Sequence, residues 1–208
     1  MIYFDIIYLG GRLPMTWYPE AFTNVAMSDM RMRADPSRGY PGRTYRFYTG
    51  SRVYAFGQGL SYSDYTYKFI SLPNKLSLSG SSYKAGSGRH MLHQVGERLD
   101  YIYVDEMTSC DALRFAVVIS VANVGDMDGG HVVMLFWRPP KAVKGAPVKQ
   151  LIGFENVHVF SKRSATTSIV VDPCRHLSFA NEKGKRVLSL GHHVLMLGEL
   201  EHSLSIES

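Results

Sequence analysis

The chain has 208 residues, of which 45% are hydrophobic, 12% aromatic and 20% charged, with 19 glycines and only two cysteines. That balance fits a globular chain of one large domain, or one domain plus part of another, and excludes a disordered chain or a disulfide framework. The net charge of +5 and pI near 9.2 invite a polyanionic partner, yet no block of five or six basic residues concentrates the charge.

The first nine residues, MIYFDIIYL, are apolar but short for a secretory leader. They lack a basic start and carry Asp5 in their middle. No stretch approaches the ~20 apolar residues of a membrane span, and no Asn-x-Ser/Thr acceptor site occurs. From 10 to about 60, short apolar runs are broken by Pro and Gly. GRLPMTWYPE (11–20) sets Trp17 beside Tyr18 between two prolines. MRMRADPSRGYPGRTYRF interleaves Arg with aromatics. No nucleic-acid module surrounds it, so these arginines read as internal hydrogen-bond and cation–π partners. Pro41-Gly42 marks a turn, and the alternation from Thr44 to Tyr48 predicts a strand. Residues 1–60 read as an extended segment, loosely packed or laid over something larger.

Residues 73–99 are rich in Ser, Gly and Lys without a sustained period, and read as a long surface loop. Strand signals recur around it: Tyr65–Phe69, LRFAVVISVANVG, GGHVVMLFWRPP, LIGFENVHVF, TTSIVVD, HHVLMLG and HSLSIE. Seven short β-branched runs with turn punctuation argue for a mainly β chain built as a β-sandwich. NVGDMDGG separates the second and third runs, and predicts that they pair as an antiparallel hairpin.

Candidates for chemistry are few. Of eight histidines, His90 and His93 are three apart and His192 and His193 adjacent, whereas His131, His158, His176 and His202 stand alone. Strand neighbours point to opposite faces, so His192 and His193 cannot share an ion, and no zinc-type spacing joins the rest. No metal site or cofactor is expected. GQGLSY is not a nucleophile elbow and reads as a tight turn. Cys174, in DPCRHL, reads as a structural cysteine; one bridge to Cys110 or two unpaired thiols both remain open. Glycosidase chemistry needs two carboxylates facing one sugar. Most of the acids, such as Asp35, Asp126, Asp128 and Glu182, sit in turn sequences. Only Glu20 and Asp29 lie near the aromatic pair Trp17–Tyr18.

Several long motifs now converge. GRLPMTWYP, MSDMRMRADPSRGYPGRTYRFYTG, AFGQGLSY, VANVGDMDGGHVVMLF, APVKQLIGFENVHV and LGHHVLMLGELEHSLSI resemble, in order, the C-terminal portion of plant β-D-xylosidases of glycoside hydrolase family 3. The resemblance implies a fibronectin type III-like domain over 61–208, with the Ser/Gly-rich loop near 73–99 as an insertion. It also implies that 1–60 is a remnant of the family's α/β sandwich domain. It further implies β-xyloside hydrolysis in the cell wall by a retaining double displacement, with an Asp nucleophile and a Glu acid/base. Both of those motifs belong upstream, so no catalytic residue carries over to this chain. Gln58, Ala55, Ala34 and Ser51 depart from the family's His and three prolines. The leading expectation is a truncated β-xylosidase-like protein without independent glycosidase activity. An alternative is a non-catalytic binding or scaffolding module that docks on a full-length family member or on xylan, through Trp17, Tyr18, Tyr40, Tyr45 and Tyr48. A third reading makes the chain a piece of a longer frame. Neither a nucleic-acid nor a membrane partner is expected. The family resemblance places its members outside the cell, while the chain itself shows no leader signal.

Overall fold

The computed structural model describes residues 10–78, 84, 90–94, 97–140 and 145–207; MIYFDIIYL lies outside them. The body is a two-sheet β-sandwich. One sheet holds β1 (Tyr65–Ser71), β5 (Phe115–Asn123) and β8 (Ser164–Val171) in the order β1-β5-β8. The facing sheet runs β2-β12-β11-β6-β7, from β2 (Lys75–Ser77), β12 (Leu200–Glu207), β11 (Gly191–Leu197), β6 (Gly129–Arg138) and β7 (Gln150–Val159). A smaller sheet, ordered β3-β4-β10-β9, joins β3 (His90–Gln94), β4 (Glu97–Tyr103), β10 (Arg186–Ser189) and β9 (Ser178–Ala180).

The period-2 pattern explains the two layers. On β5, Val117, Ile119 and Val121 point inward with no exposed surface; on the facing sheet Val133, Leu135, Leu195, Leu197 and Leu204 do the same. Each such side chain contributes roughly 1.5–3 kcal/mol by leaving water. The seven expected runs are the sandwich strands β1, β5, β6, β7, β8, β11 and β12. Gly153 on β7 lets that strand close against β8, since a Cβ there would sit 2.3 Å from Ile169 Cγ2.

Three expectations are corrected. β5 and β6 are consecutive and antiparallel in pattern, yet they do not pair: β5 bonds β1 and β8, while β6 bonds β11 and β7. The NVGDMDGG segment therefore crosses between sheets. Asn123 Nδ2 donates to the carbonyls of Met127 and Val159 at 2.8 and 3.0 Å, which binds the crossing into the core. Strand periodicity cannot distinguish a hairpin from a crossing, because either partner satisfies the inward face.

Second, residues 73–99 are not loop throughout. β2, β3 and the start of β4 fall inside them, with β2 adding in parallel to β12. β2 is paired by a strand far along the chain, whereas β3 and β4 pair antiparallel with each other, from His90 opposite Tyr101 to Gln94 opposite Glu97. Third, Thr44–Phe47 is one helical turn (α1), begun by Thr44 in the left-handed region at φ 59°. The run places Tyr45 and Tyr48 against two different aromatic groups, so its alternation served packing rather than a sheet.

Candidate functional site

The segment 10–60 is laid over the β6–β7 end of the larger sheet. Burial on β6 breaks its alternation at Leu135-Phe136-Trp137, three buried residues in a row. The reason is that the outward Phe136 is covered. Tyr45 and Phe56 stack at 4.0 Å, and each meets Phe136 edge-on at 6.1 Å. The Leu151 N–H donates to the Tyr45 hydroxyl, the Val148 N–H to the Arg46 carbonyl, and the Arg46 guanidinium to Gln150 Oε1 at 2.7 Å. Gly57, at φ 80°, brings the chain down on Met134. The GQGLSY run is thus a turn, as its glycines suggest.

Beside this contact the segment folds on itself around a cleft of about 460 Å³ lined in part by Phe22, Asp29, Arg31, Tyr40 and Tyr48. A backbone bridge joins Trp17 to Tyr54, with the rings edge-to-face at 5.5 Å. Tyr18 stacks on Phe22 at 4.0 Å, Tyr48 meets both edge-on, and the Thr44 N–H donates to the Tyr18 hydroxyl at 2.7 Å. Of the five aromatics expected to lie open, Tyr40 and Tyr48 are 5% and 7% exposed, and Tyr18 and Tyr45 are each stacked on a phenylalanine. Trp17, at 49%, is the open one.

The two acids near these rings do not form an acid/base pair. Asp29 lies in the cleft and takes a forked contact from Arg31, with Nε 3.0 Å from Oδ1 and Nη2 2.7 Å from Oδ2. These hydrogen bonds hold its carboxyl down at about 2. Arg31 also reaches Asp35 at 3.2 Å, whose carboxyl is lowered first by the Ser37 hydroxyl. Both carboxyls are therefore ionised, the opposite of what a general acid needs. Glu20 opens a short 3-10 turn (Glu20–Asn24) as an exposed residue and does not line the cleft.

The histidines separate as strand geometry requires: His192 is exposed and His193 fully buried. His90 pairs with Glu106 at 2.8 Å, His131 contacts the Tyr67 hydroxyl, His176 Nδ1 accepts the Asp172 N–H, and His202 meets the Pro73 carbonyl. Among the described residues no three His, Cys, Asp or Glu side chains converge on a common point. Cys110 and Cys174 are joined, with Cα atoms 6.1 Å apart, and Met107 Sδ lies 3.4 Å from Cys174. The sequence left that pairing open because 63 residues of chain lie between the two cysteines.

Comparison with known proteins agrees with this architecture. A fibronectin type III-like domain model matches residues 131–201. The Arabidopsis thaliana protein named "Probable beta-D-xylosidase 6" is 57% identical over 200 residues, and "Beta-D-xylosidase 3" of the same plant is 42% identical. "Beta-xylosidase/alpha-L-arabinofuranosidase 1" of Medicago sativa is 40% identical. Each alignment covers 95% of this chain, and the chain spans about a quarter of the length of these relatives. Among solved structures, a GH3 exo-beta-xylosidase in complex with a xylobiose aziridine probe superposes on 96% of the chain with a TM-score of 0.73 at 23% identity. The Trichoderma reesei beta-D-glucoside glucohydrolase covers 99% with a TM-score of 0.62. By sequence, the chain belongs with the plant β-D-xylosidases of glycoside hydrolase family 3, corresponding to a C-terminal portion that contains their fibronectin type III-like domain.

Proposed function

We propose that these residues serve a β-xylosidase-type hydrolase of xylan in the plant cell wall as its non-catalytic C-terminal part, without glycosidase activity of their own. Residues 10–60 then act as the tail of the family's α/β domain, and the sandwich from about 61 as the body it is fastened to. The supporting observation is electrostatic. The cleft's Asp29 and its neighbour Asp35 share the Arg31 guanidinium and are held ionised, which leaves that cleft without a protonated carboxyl to serve a leaving group. The contact of Tyr45 and Phe56 with Phe136 gives the segment a fixed seat on the sandwich. The purified chain should not turn over an aryl β-xyloside. Turnover abolished by Asp29→Asn or Glu20→Gln would overturn the reading.

A second reading, a polysaccharide-binding module, is favoured by the exposed Trp17–Tyr54 pair. Titrating xylan oligosaccharides against tryptophan fluorescence tests it, and an unchanged signal from a monodisperse monomer counts against it.

A further inference from the structure

Three arginines meet where the 10–60 segment crosses the edge of the smaller sheet. Arg33 donates from Nε to the Gly145 carbonyl and from Nη2 to the Ala180 carbonyl, both at 2.7 Å. Arg186 is the direct cross-strand partner of Ala180 in the β9–β10 pair, so it stands beside the backbone that Arg33 grips. The Arg46 guanidinium donates to Gln150 Oε1 at 2.7 Å. The guanidiniums of Arg33 and Arg46 each lie 5.2 Å from the Phe47 ring, which sets both against one apolar surface.

This cluster lacks the carboxylate partners that four other arginines have. Arg31, Arg38, Arg114 and Arg138 each have a carboxylate within ion-pair distance. Among the described residues none of Arg33, Arg46 and Arg186 does, and Glu182 in the adjoining turn has an interaction of its own. The crowding has an electrostatic signature: burial first, then the positive fields of Arg33 and Arg186, lower the Arg46 pKa. Arg33 and Arg46 each leave Nη1 without a partner among the described residues, and the exposed Arg186 leaves its whole guanidinium so. Like charges assembled with unused donors are relieved by an anion. A planar guanidinium fork suits a carboxylate, which accepts two parallel N–H bonds.

We infer that Arg33, Arg46 and Arg186 form a binding site for the carboxylate of an acidic sugar. The carboxylate rests on the three arginines alone; the choice of a sugar as its carrier rests on the carbohydrate-acting reading above. Arg33 and Arg46 also fasten the segment to the sandwich, whereas Arg186 only lends charge. Arg186→Gln is therefore the clean variant.

The test is a thermal-shift titration of the 208-residue chain at low salt with D-glucuronate, acetate, phosphate and neutral D-xylose. D-glucuronate should give a saturable rise in Tm, D-xylose none, and Arg186→Gln should weaken the apparent affinity about tenfold or more without lowering Tm in the absence of ligand. Acetate acting as well as glucuronate would uphold the carboxylate site and overturn the sugar. Phosphate acting more strongly than either would overturn the carboxylate assignment. No saturable shift, or an equal one in Arg186→Gln, would overturn the site, and would leave the xyloside-turnover result untouched.

Discussion

The indole N–H of Trp137 donates to Nδ1 of His193 across 2.9 Å, with both side chains fully buried between the sheets. The other ring nitrogen, Nε2, lies 2.8 Å from the Ser189 carbonyl. Nδ1 must accept, so the proton sits on Nε2 and the ring is neutral. The pair ties β6, β11 and the end of β10 with polar groups that each have a partner, which lets a histidine occupy the core at little penalty.

Stability should fall in mild acid. Burial lowers His193 from 6.5 to about 4, and burial with the Arg12 charge lowers His131 to about 4. Both folded values lie below the unfolded one, so the unfolded chain binds more protons between pH 6.5 and 4. The stabilisation is complete above pH 6.5 and declines as pH falls toward 4, by about 3 kcal/mol for each ring. Urea unfolding at pH 7, 5 and 4 measures it. His193→Leu should flatten the slope while lowering stability at pH 7, because it orphans the Trp137 N–H.

Reducing the Cys110–Cys174 bond should destabilise the sandwich. Their sequence separation is 64, and closing a loop of that length constrains the unfolded chain by about 4 kcal/mol. Melting with and without reductant, or in Cys110→Ser with Cys174→Ser, should show a clear drop in Tm. An unchanged Tm would mean that the bond contributes nothing.

Gly153→Ala should cost about 1–3 kcal/mol by overpacking, since its Cβ would fall 2.3 Å from Ile169 Cγ2 on the facing strand. Ile169→Ala is destabilising alone by cavity formation. Combined with Gly153→Ala, it should cost less than the sum of the two. Strict additivity in a double-mutant cycle would contradict the contact.

Phe136→Ala should release the segment rather than unfold the body. Tyr45 and Phe56 lose their seat, while the inward faces of β5, β8 and β11 are untouched. Amide exchange should quicken for residues 45–58 and stay slow for Val117–Val121. Uniform quickening would show that the segment and the sandwich open together.

The seven sandwich strands were legible from the residues because an inward face demands an apolar side chain at every second position, as in Val117, Ile119 and Val121. The family too was legible, since six long motifs fall in one order. The site was less so. Asp29 stood near aromatics in the sequence, but its ionised state depends on Arg31 folding back onto it. The Arg33–Arg186 relationship spans 153 positions and no local pattern contains it.

Which residues turn inward and which break a strand is written locally in the chain, because alternation, Gly and Pro act within a few residues. The tertiary structure decided which strands pair, that Cys110 meets Cys174, and that Phe136 is covered from outside. Those are long-range contacts, and their energy is gained only when segments distant in the chain are brought together.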